Sequence, residues 1–210
     1  LKSLKKTLKK AVKKPARKTA AKRAAKISVK IARTPSQQAC LFPTVLGEMA
    51  IAWKEENVTG VFLPEADGKK LLARVRSKLR VPRLAWTGSP PAYVGHMAAS
   101  IRSHLRGEAQ EFSLEHLALN KQSSPFFLKV YECSQRIPSG KVLTYRELAT
   151  AAGSPKAFRA VGQAMARNPF PIVIPCHRVV GSSKEAGGFS AHGGLDTKAK
   201  ILKLEGKLDL

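Results

Sequence analysis

A chain of 210 residues with 43% hydrophobic content can bury one sizeable core, or two small lobes beside a tail. No run reaches the roughly 18 uncharged apolar residues of a membrane helix. The first 30 residues lack the apolar stretch of a secretory leader, and three widely spaced cysteines, Cys40, Cys133 and Cys176, argue against a disulfide scaffold and for a reducing compartment. The formal net charge of +24 points instead to a polyanionic partner.

In chain order, residues 1–36 hold 14 of the 38 lysines and arginines and no acidic residue, with a crude Lys-Lys-Pro-Ala-Arg-Lys theme at Lys13–Lys18. Such a segment cannot bury enough apolar area to offset its ordering entropy, so it reads as a disordered basic tail that tethers to DNA by counterion release. Globular patterning begins near Gln38. Met49, Ile51 and Trp53 alternate with Ala50, Ala52 and Lys54, a half-buried strand. A polar Lys54–Asn57 link to Val58–Leu63 suggests a hairpin. Lys69–Leu79 has helical character, and Val94, Met97, Ala98, Ile101 and Leu105 keep helical spacing up to Gly107. This first lobe, taken as 37–118, offers no chemical constellation and is read as packing.

The second lobe, 119–210, opens with Ser124-Pro125, an N-cap followed by proline at the first helical position, and a helix to Arg136. Thr144-Tyr145-Arg146-Glu147 is a capping box whose helix ends at Gly153. Ser154-Pro155 is read as opening a second helix, to about Asn168, which completes a helix-turn-helix. Many paired helices bind nothing, but the second one mixes Lys156, Arg159 and Arg167 with Ala157, Ala160 and Gly162. Small side chains let a helix approach a nucleic-acid groove, the arginines supply charge, and free amides near Pro155 can meet a phosphate.

After Pro169, Ile172–Ile174 reads as a short buried strand between prolines that delivers Cys176 to a turn, followed by His177 and Arg178. Both neighbours are residue types that favour a thiolate, the reactive form of cysteine. A Cys-His dipeptide alone is more often a buried structural cysteine beside a satisfied histidine.

The longer pattern decides between these readings. Pro175-Cys176-His177-Arg178-Val179 resembles the active-site motif of the O6-alkylguanine-DNA alkyltransferase family, and the likeness runs from about Pro138 to Gly206, a third of the chain. It takes in the Tyr145 capping-box helix, Pro155-Lys156-Ala157-Phe158-Arg159-Ala160-Val161-Gly162, Asn168-Pro169, Gly193-Gly194-Leu195 and Leu204-Glu205-Gly206. The resemblance implies an α+β fold with a small ribonuclease-H-like first lobe and a mostly helical second lobe. It implies transfer of an alkyl group from O6 of guanine, with O4 of thymine as a further candidate, to Cys176 in one turnover without a cofactor.

By the same resemblance, His177 acts through a bridging water as base, oriented by Glu205. Asn168 braces the turn, and Tyr145 hydrogen-bonds the guanine and protonates the departing anion. Backbone at Cys176 and Val179 reads the base, and Ser190 closes the pocket. Arg159 fills the gap left by the flipped nucleotide, in a minor groove. Phe189 stands where several members carry tyrosine, and Ala191-His192 is an insertion relative to some of them. Some members hold zinc in the first lobe, but Cys40, His96, His104 and His116 include no ligand-spaced pair, so no metal is expected. Cys133 is read as helix packing. The expected partner is double-stranded DNA containing O6-alkylguanine, bound by a monomer with no membrane association. The expected location is cytoplasmic at the nucleoid in a bacterium, or nuclear in a eukaryote. Closing the chain, Leu195–Leu204 reads as a helix with Asp196 as N-cap and Gly206 just past its end. The rival reading is a non-catalytic binder of alkylated DNA, against which the intact Cys176 counts.

Deleting residues 1–36 is expected to flatten the salt dependence of DNA affinity while leaving the reactivity of Cys176 intact. A plot of log Kd against log salt for both forms checks this, and an unchanged slope refutes tethering.

Overall fold

The computed structural model describes residues 37–81, 83–119, 123–182 and 188–206; the basic tail read at 1–36 lies outside the described residues. The fold is mixed α+β. A four-stranded sheet is built from β1 (Gln38–Thr44), β2 (Gly47–Lys54), β3 (Asn57–Phe62) and β4 (Ala85–Trp86), in the order β3-β2-β1-β4. The first three strands form an antiparallel meander, and β4 lies parallel to β1 after a crossover through helix α1 (Gly68–Leu79).

Sequence patterning missed β1 because its hairpin lacks the usual turn residues. Val45 and Leu46 connect β1 to β2, and the turn is made instead by Thr44 and Gly47. The Thr44 hydroxyl donates to the Gly47 carbonyl (2.7 Å) and accepts from the Leu46 amide (3.2 Å), while Gly47 takes φ +119°, open only to glycine at low cost.

β2 differs from the half-buried strand expected. Met49, Ile51 and Trp53 do face the main core, but Ala50 and Ala52 are also fully buried. With Ala39, Phe62 and Leu84 they form a second apolar face, covered by Leu71 and Val75 of α1. Alanine alternating with large side chains mimics one-sided burial; here its small volume lets a helix lie close against that face.

Helix α2 (Ala92–Leu105) packs on the other face through Val94, Ala98, Ile101 and Leu105, and Gly107 at φ +91° turns the chain away. Helix α3 (Pro125–Gln135) has the expected Ser124 cap, whose hydroxyl accepts from the Phe127 amide at 3.3 Å. In the same core, Val130 and Tyr131 of α3 join residues of the sheet and of the second lobe, so one apolar cluster runs through both lobes.

Helices α4 (Tyr145–Ala151) and α5 (Phe158–Ala166) form the helix-turn-helix, and the capping box is present in both directions: the Glu147 amide donates to Thr144 Oγ1 at 3.2 Å, and the Thr144 amide to Glu147 Oε2 at 2.6 Å. α5 begins later than Ser154-Pro155 suggests. Residues 154–157 make a separate turn closed by the Ala157 amide on the Ser154 carbonyl at 2.8 Å, with Pro155 at the position its fixed φ favours. Lys156 and Ala157 therefore precede the helix, and the Ala157 amide is already used.

Two further expectations are corrected. Residues 172–174 are not a strand: Pro171 and Ile174 bridge across a tight turn in which Ile172 has φ +73°. The closing helix α6 (Gly194–Leu204) is capped by Gly193 at φ +77°, and Asp196 sits inside the first turn. A Cβ on Gly193 would lie 2.5 Å from Thr197 Oγ1, so a side chain there is strained by the positive φ and displaces the threonine hydroxyl. Gly206 at φ +83° follows the helix as expected.

Filling the alanine face should be destabilising. Ala52→Leu is expected to cost about 1–3 kcal/mol through overpacking against α1, read as a lower urea midpoint with an unchanged m-value.

Candidate active site and DNA-binding face

Cys176 opens a single turn of 3-10 helix, Cys176–Arg178, and the turn before it is held by Asn168. The Asn168 Nδ2 donates to the Ile174 carbonyl at 2.8 Å and its Oδ1 accepts from the Phe170 amide at 2.9 Å. Isoleucine in the left-handed region is strained. Ile172, Val173 and Ile174 are buried at 1%, 1% and 0% exposure, so their packing holds that strain in place. The result is a rigid base for the thiol.

Tyr145 reaches the same region through a small parallel pair. Leu143 and Thr144 (β5) pair with Val179 and Val180 (β6), which sets the start of α4 beside the turn carrying Cys176. Burial pushes the Tyr145 phenol above its ordinary value, and negative charge on Cys176 acts the same way. The Cys176 thiol is also pushed up by burial, opposed by Asn168 and by the nearby cation of Lys198. At rest the thiol is therefore neutral at pH 7.

His177 is fully buried. Its Nε2 lies 2.7 Å from Glu205 Oε1, at the end of α6. The Arg178 guanidinium clasps the same carboxylate, with Nη2 2.8 Å from Oε1 and Nε 3.0 Å from Oε2, while Nη1 donates to the Ile137 carbonyl at 2.5 Å. A third donor, Nε2 of His104 on α2, stands 2.8 Å from Glu205 Oε1. Burial alone would push the Glu205 carboxyl up; the bonds from His104, His177 and Arg178 outweigh it and hold the group well below the usual carboxylate range. An ionised carboxylate only accepts, so both imidazoles carry their proton on Nε2. Burial lowers the His177 imidazole below its ordinary value, with Glu205 acting against it. Its Nδ1 has no hydrogen-bond partner among the described residues.

The expected residues Cys176, His177, Asn168, Tyr145 and Glu205 thus fall in one region, and the first lobe proves to be more than packing. Sequence reading missed His104, whose single imidazole on an apolar helix face gives no signal of its partner. It also missed Lys198, fully buried, with Nζ donating to the Val179 carbonyl at 2.6 Å and brought down to about 8 by burial. Its helical spacing from Ile201 and Leu202, three and four residues on, was the available clue. Ser190 is exposed, and its carbonyl accepts from Arg74 of α1 at 3.0 Å; Arg74 in turn lies 3.1 Å from Glu65. A cavity of about 200 Å³ reaches Cys176 between Gly60 and Lys78 of the first lobe and Asn168, Phe189 and Ser190 of the second; Tyr145 and Val179 are not among its walls.

On α5, Val161, Ala164 and Met165 are buried, and the Tyr131 hydroxyl anchors the helix by donating to the Ala164 carbonyl at 3.0 Å. The opposite face leaves Arg159, Gln163, Ala166 and Arg167 exposed, with Ala160 and Gly162 half-buried beside them. Phe158 is flanked by the Arg146 and Arg159 guanidinium groups at 5.1 and 6.0 Å. A basic, small-residue face on the second helix of a helix-turn-helix, in a chain that also holds a buried thiol on a rigid turn, defines the class: a DNA-directed protein with a candidate reactive cysteine.

Comparison with known proteins agrees. Residues 125–207 match the family model described as 6-O-methylguanine DNA methyltransferase, DNA binding domain. The constitutive methylated-DNA–protein-cysteine methyltransferase of Bacillus subtilis is 36% identical over 165 residues, covering 77% of this chain and 91% of that protein. Among solved structures, Mycobacterium tuberculosis OGT in complex with DNA superposes with a TM-score of 0.62 at 29% identity, over 80% of this chain and 92% of that one. The O6-methylguanine-DNA methyltransferase of Pyrococcus kodakaraensis strain KOD1 gives 0.63 at 28% identity, over 81% and 99%. The chain belongs to the methylated-DNA–protein-cysteine methyltransferase family. Among the described residues, no helix is long and apolar enough to cross a membrane.

Glu205→Gln is expected to destabilise the fold by about 3–5 kcal/mol at neutral pH, because it leaves Arg178 buried without its counter-charge. A carboxyl held below its unfolded value stabilises fully above about pH 4.3 and loses that contribution as pH falls toward the folded value. The gap between wild type and variant should therefore narrow from about pH 7 to about pH 3.5 in denaturant titrations.

Proposed function

We propose that this protein repairs DNA by direct reversal, moving an alkyl group from O6 of guanine in a duplex to its own Cys176. The observation that carries the reading is the His177–Glu205 bond of 2.7 Å, which commits Nε2 and leaves Nδ1, without a partner among the described residues, available as the base.

The Cys176 thiol proton passes through a bridging water to His177 Nδ1. The thiolate attacks the sp3 alkyl carbon, the C–O6 bond breaks, and its electron pair stays on the guanine. Tyr145 hydrogen-bonds the guanine and delivers a proton to the departing anion; one such donor in a buried site is worth ~2.7–4 kcal/mol. Asn168 braces the turn, backbone at Cys176 and Val179 reads the base, and Ser190 closes the pocket at O6. The product is a thioether, from which the carbon has no easy route, so each molecule reacts once. No cofactor takes part.

Guanine O6 inside a duplex cannot be reached for in-line attack, so the nucleotide must leave the stack. Arg159, exposed on α5, fills the gap it leaves. Ala160 and Gly162 allow close approach, and Lys156, Ala157 and Arg167 meet the backbone on either side, in the minor groove. The partner is double-stranded DNA containing O6-alkylguanine, bound by a monomer. In this reading the chain divides into a basic tail (1–36), a first lobe (37–118) and a DNA-binding and catalytic lobe (119–210). The sheet order β3-β2-β1-β4 with β4 parallel to β1 supports a ribonuclease-H-like first lobe.

Intact-protein mass after incubation with an O6-methylguanine duplex tests the reading. One added methyl, localised to Cys176, saturating at one per chain and absent in Cys176→Ala, is expected. No change of mass in folded wild-type protein overturns it.

A further inference from the structure

We propose that His104, supplied by α2 of the first lobe, is a positioning residue for the relay: it fixes the Glu205 oxygen that orients His177. The inference rests on the function proposed above and adds a member from outside the region that carries the family motifs.

Glu205 Oε1 receives Nε2 of His104 at 2.8 Å, Nε2 of His177 at 2.7 Å and Nη2 of Arg178 at 2.8 Å. Arg178 and His177 are neighbours on one turn, so both hold the carboxylate from the same element. His104 approaches from a different element and closes the set. It is itself immobilised: its side chain is 1% exposed, and its ring meets Phe112 edge-on at 5.7 Å between centroids. Its Nδ1 has no hydrogen-bond partner among the described residues. An apolar side chain would fill this place on α2 without burying a polar nitrogen, so the Nε2–H is what the position uses.

The groups facing His104 are Glu205, the Arg178 guanidinium, whose Nη2 lies 3.4 Å from Nε2, and Phe112; those facing His177 are Glu205, Arg178 and His104. With His104 donating, the Glu205 charge is divided among three donors. Without it, the charge falls more fully on His177. The imidazole then holds its proton to higher pH, and the carboxylate that orients it is less well fixed.

The test compares His104→Phe, which keeps a ring without a donor, with His104→Gln, whose amide N–H can reach toward Glu205. Single-turnover methyl transfer to Cys176 is measured against pH, and alkylation of Cys176 by iodoacetamide without DNA is measured in parallel. His104→Phe is expected to slow transfer by about tenfold at the plateau, the scale of losing a partner that orients a functional histidine. Its acid limb is expected to move to higher pH in both reactions, and His104→Gln to recover most of the rate. The proposal is overturned if His104→Phe keeps the wild-type rate and inflection. It is equally overturned if Phe and Gln variants lose thermal stability alike with the inflection unmoved. Should His104→Phe not fold, His104→Asn replaces it. Its shorter amide cannot reach Glu205, so Gln faster than Asn supports the proposal and equal rates overturn it. Absence of methyl transfer in wild type would count against the repair reading alone, because the iodoacetamide series still separates the variants.

Discussion

The Glu205 carboxylate is the point at which three separate parts of the chain meet. It sits at the end of α6 with its side chain 1% exposed, and it accepts from His104 of α2 and from His177 and Arg178 of the cysteine turn. A buried charge of this kind is tolerated only when its oxygens are fully used. That requirement fixes the closing helix against the first lobe and against the turn at once. Gly140 at φ +75° belongs to the same constraint: a Cβ there would stand 2.9 Å from the Glu205 carbonyl oxygen. The charge cluster therefore organises the backbone around it as well as the side chains it touches.

The same constraint sets the resting state of the chemistry. Burial favours the neutral thiol on Cys176 and the neutral imidazole on His177. Lys198 and Asn168 act in the other direction on the thiol, so the surroundings that stabilise a thiolate are built before any proton moves. The turn that presents the sulfur is rigid through the Asn168 bonds and the packing around Ile172. A sulfur attacking a carbon in line depends on such rigidity, since small errors of placement lower the rate steeply.

The two lobes divide the work unevenly. α5 presents arginines and small residues outward while Val161, Ala164 and Met165 anchor it within. The first lobe offers its sheet as a support, with the Val61 amide of β3 donating to the Pro169 carbonyl at 2.9 Å just after Asn168. Its helices also reach into the site, through His104 on α2 and through Arg74 on α1, which holds the Ser190 carbonyl.

Much of this was legible in the chain. The capping box at Thr144, the Ser124-Pro125 start and the stop at Gly107 are local signals, set by nearest-neighbour chemistry, and all lie where the residues indicate. Where one local rule competed with another, the sequence misled. Pro155 suited both a helix start and a turn, and the turn won because the Ala157 amide closes on Ser154. Ile172–Ile174 had the composition of a strand but had to reverse direction to aim Cys176. Ala50 and Ala52 looked like a solvent face and were buried by α1. The sequence by itself determined the helix caps and stops, and it singled out Cys176 with its neighbouring histidine as the candidate site. Only the tertiary structure decided that His104, 101 residues before Glu205, shares its carboxylate, and that Lys198 turns inward to the Val179 carbonyl. Such pairings arise from how packed elements bring distant charges into a common desolvated space, and no spacing along the chain records that.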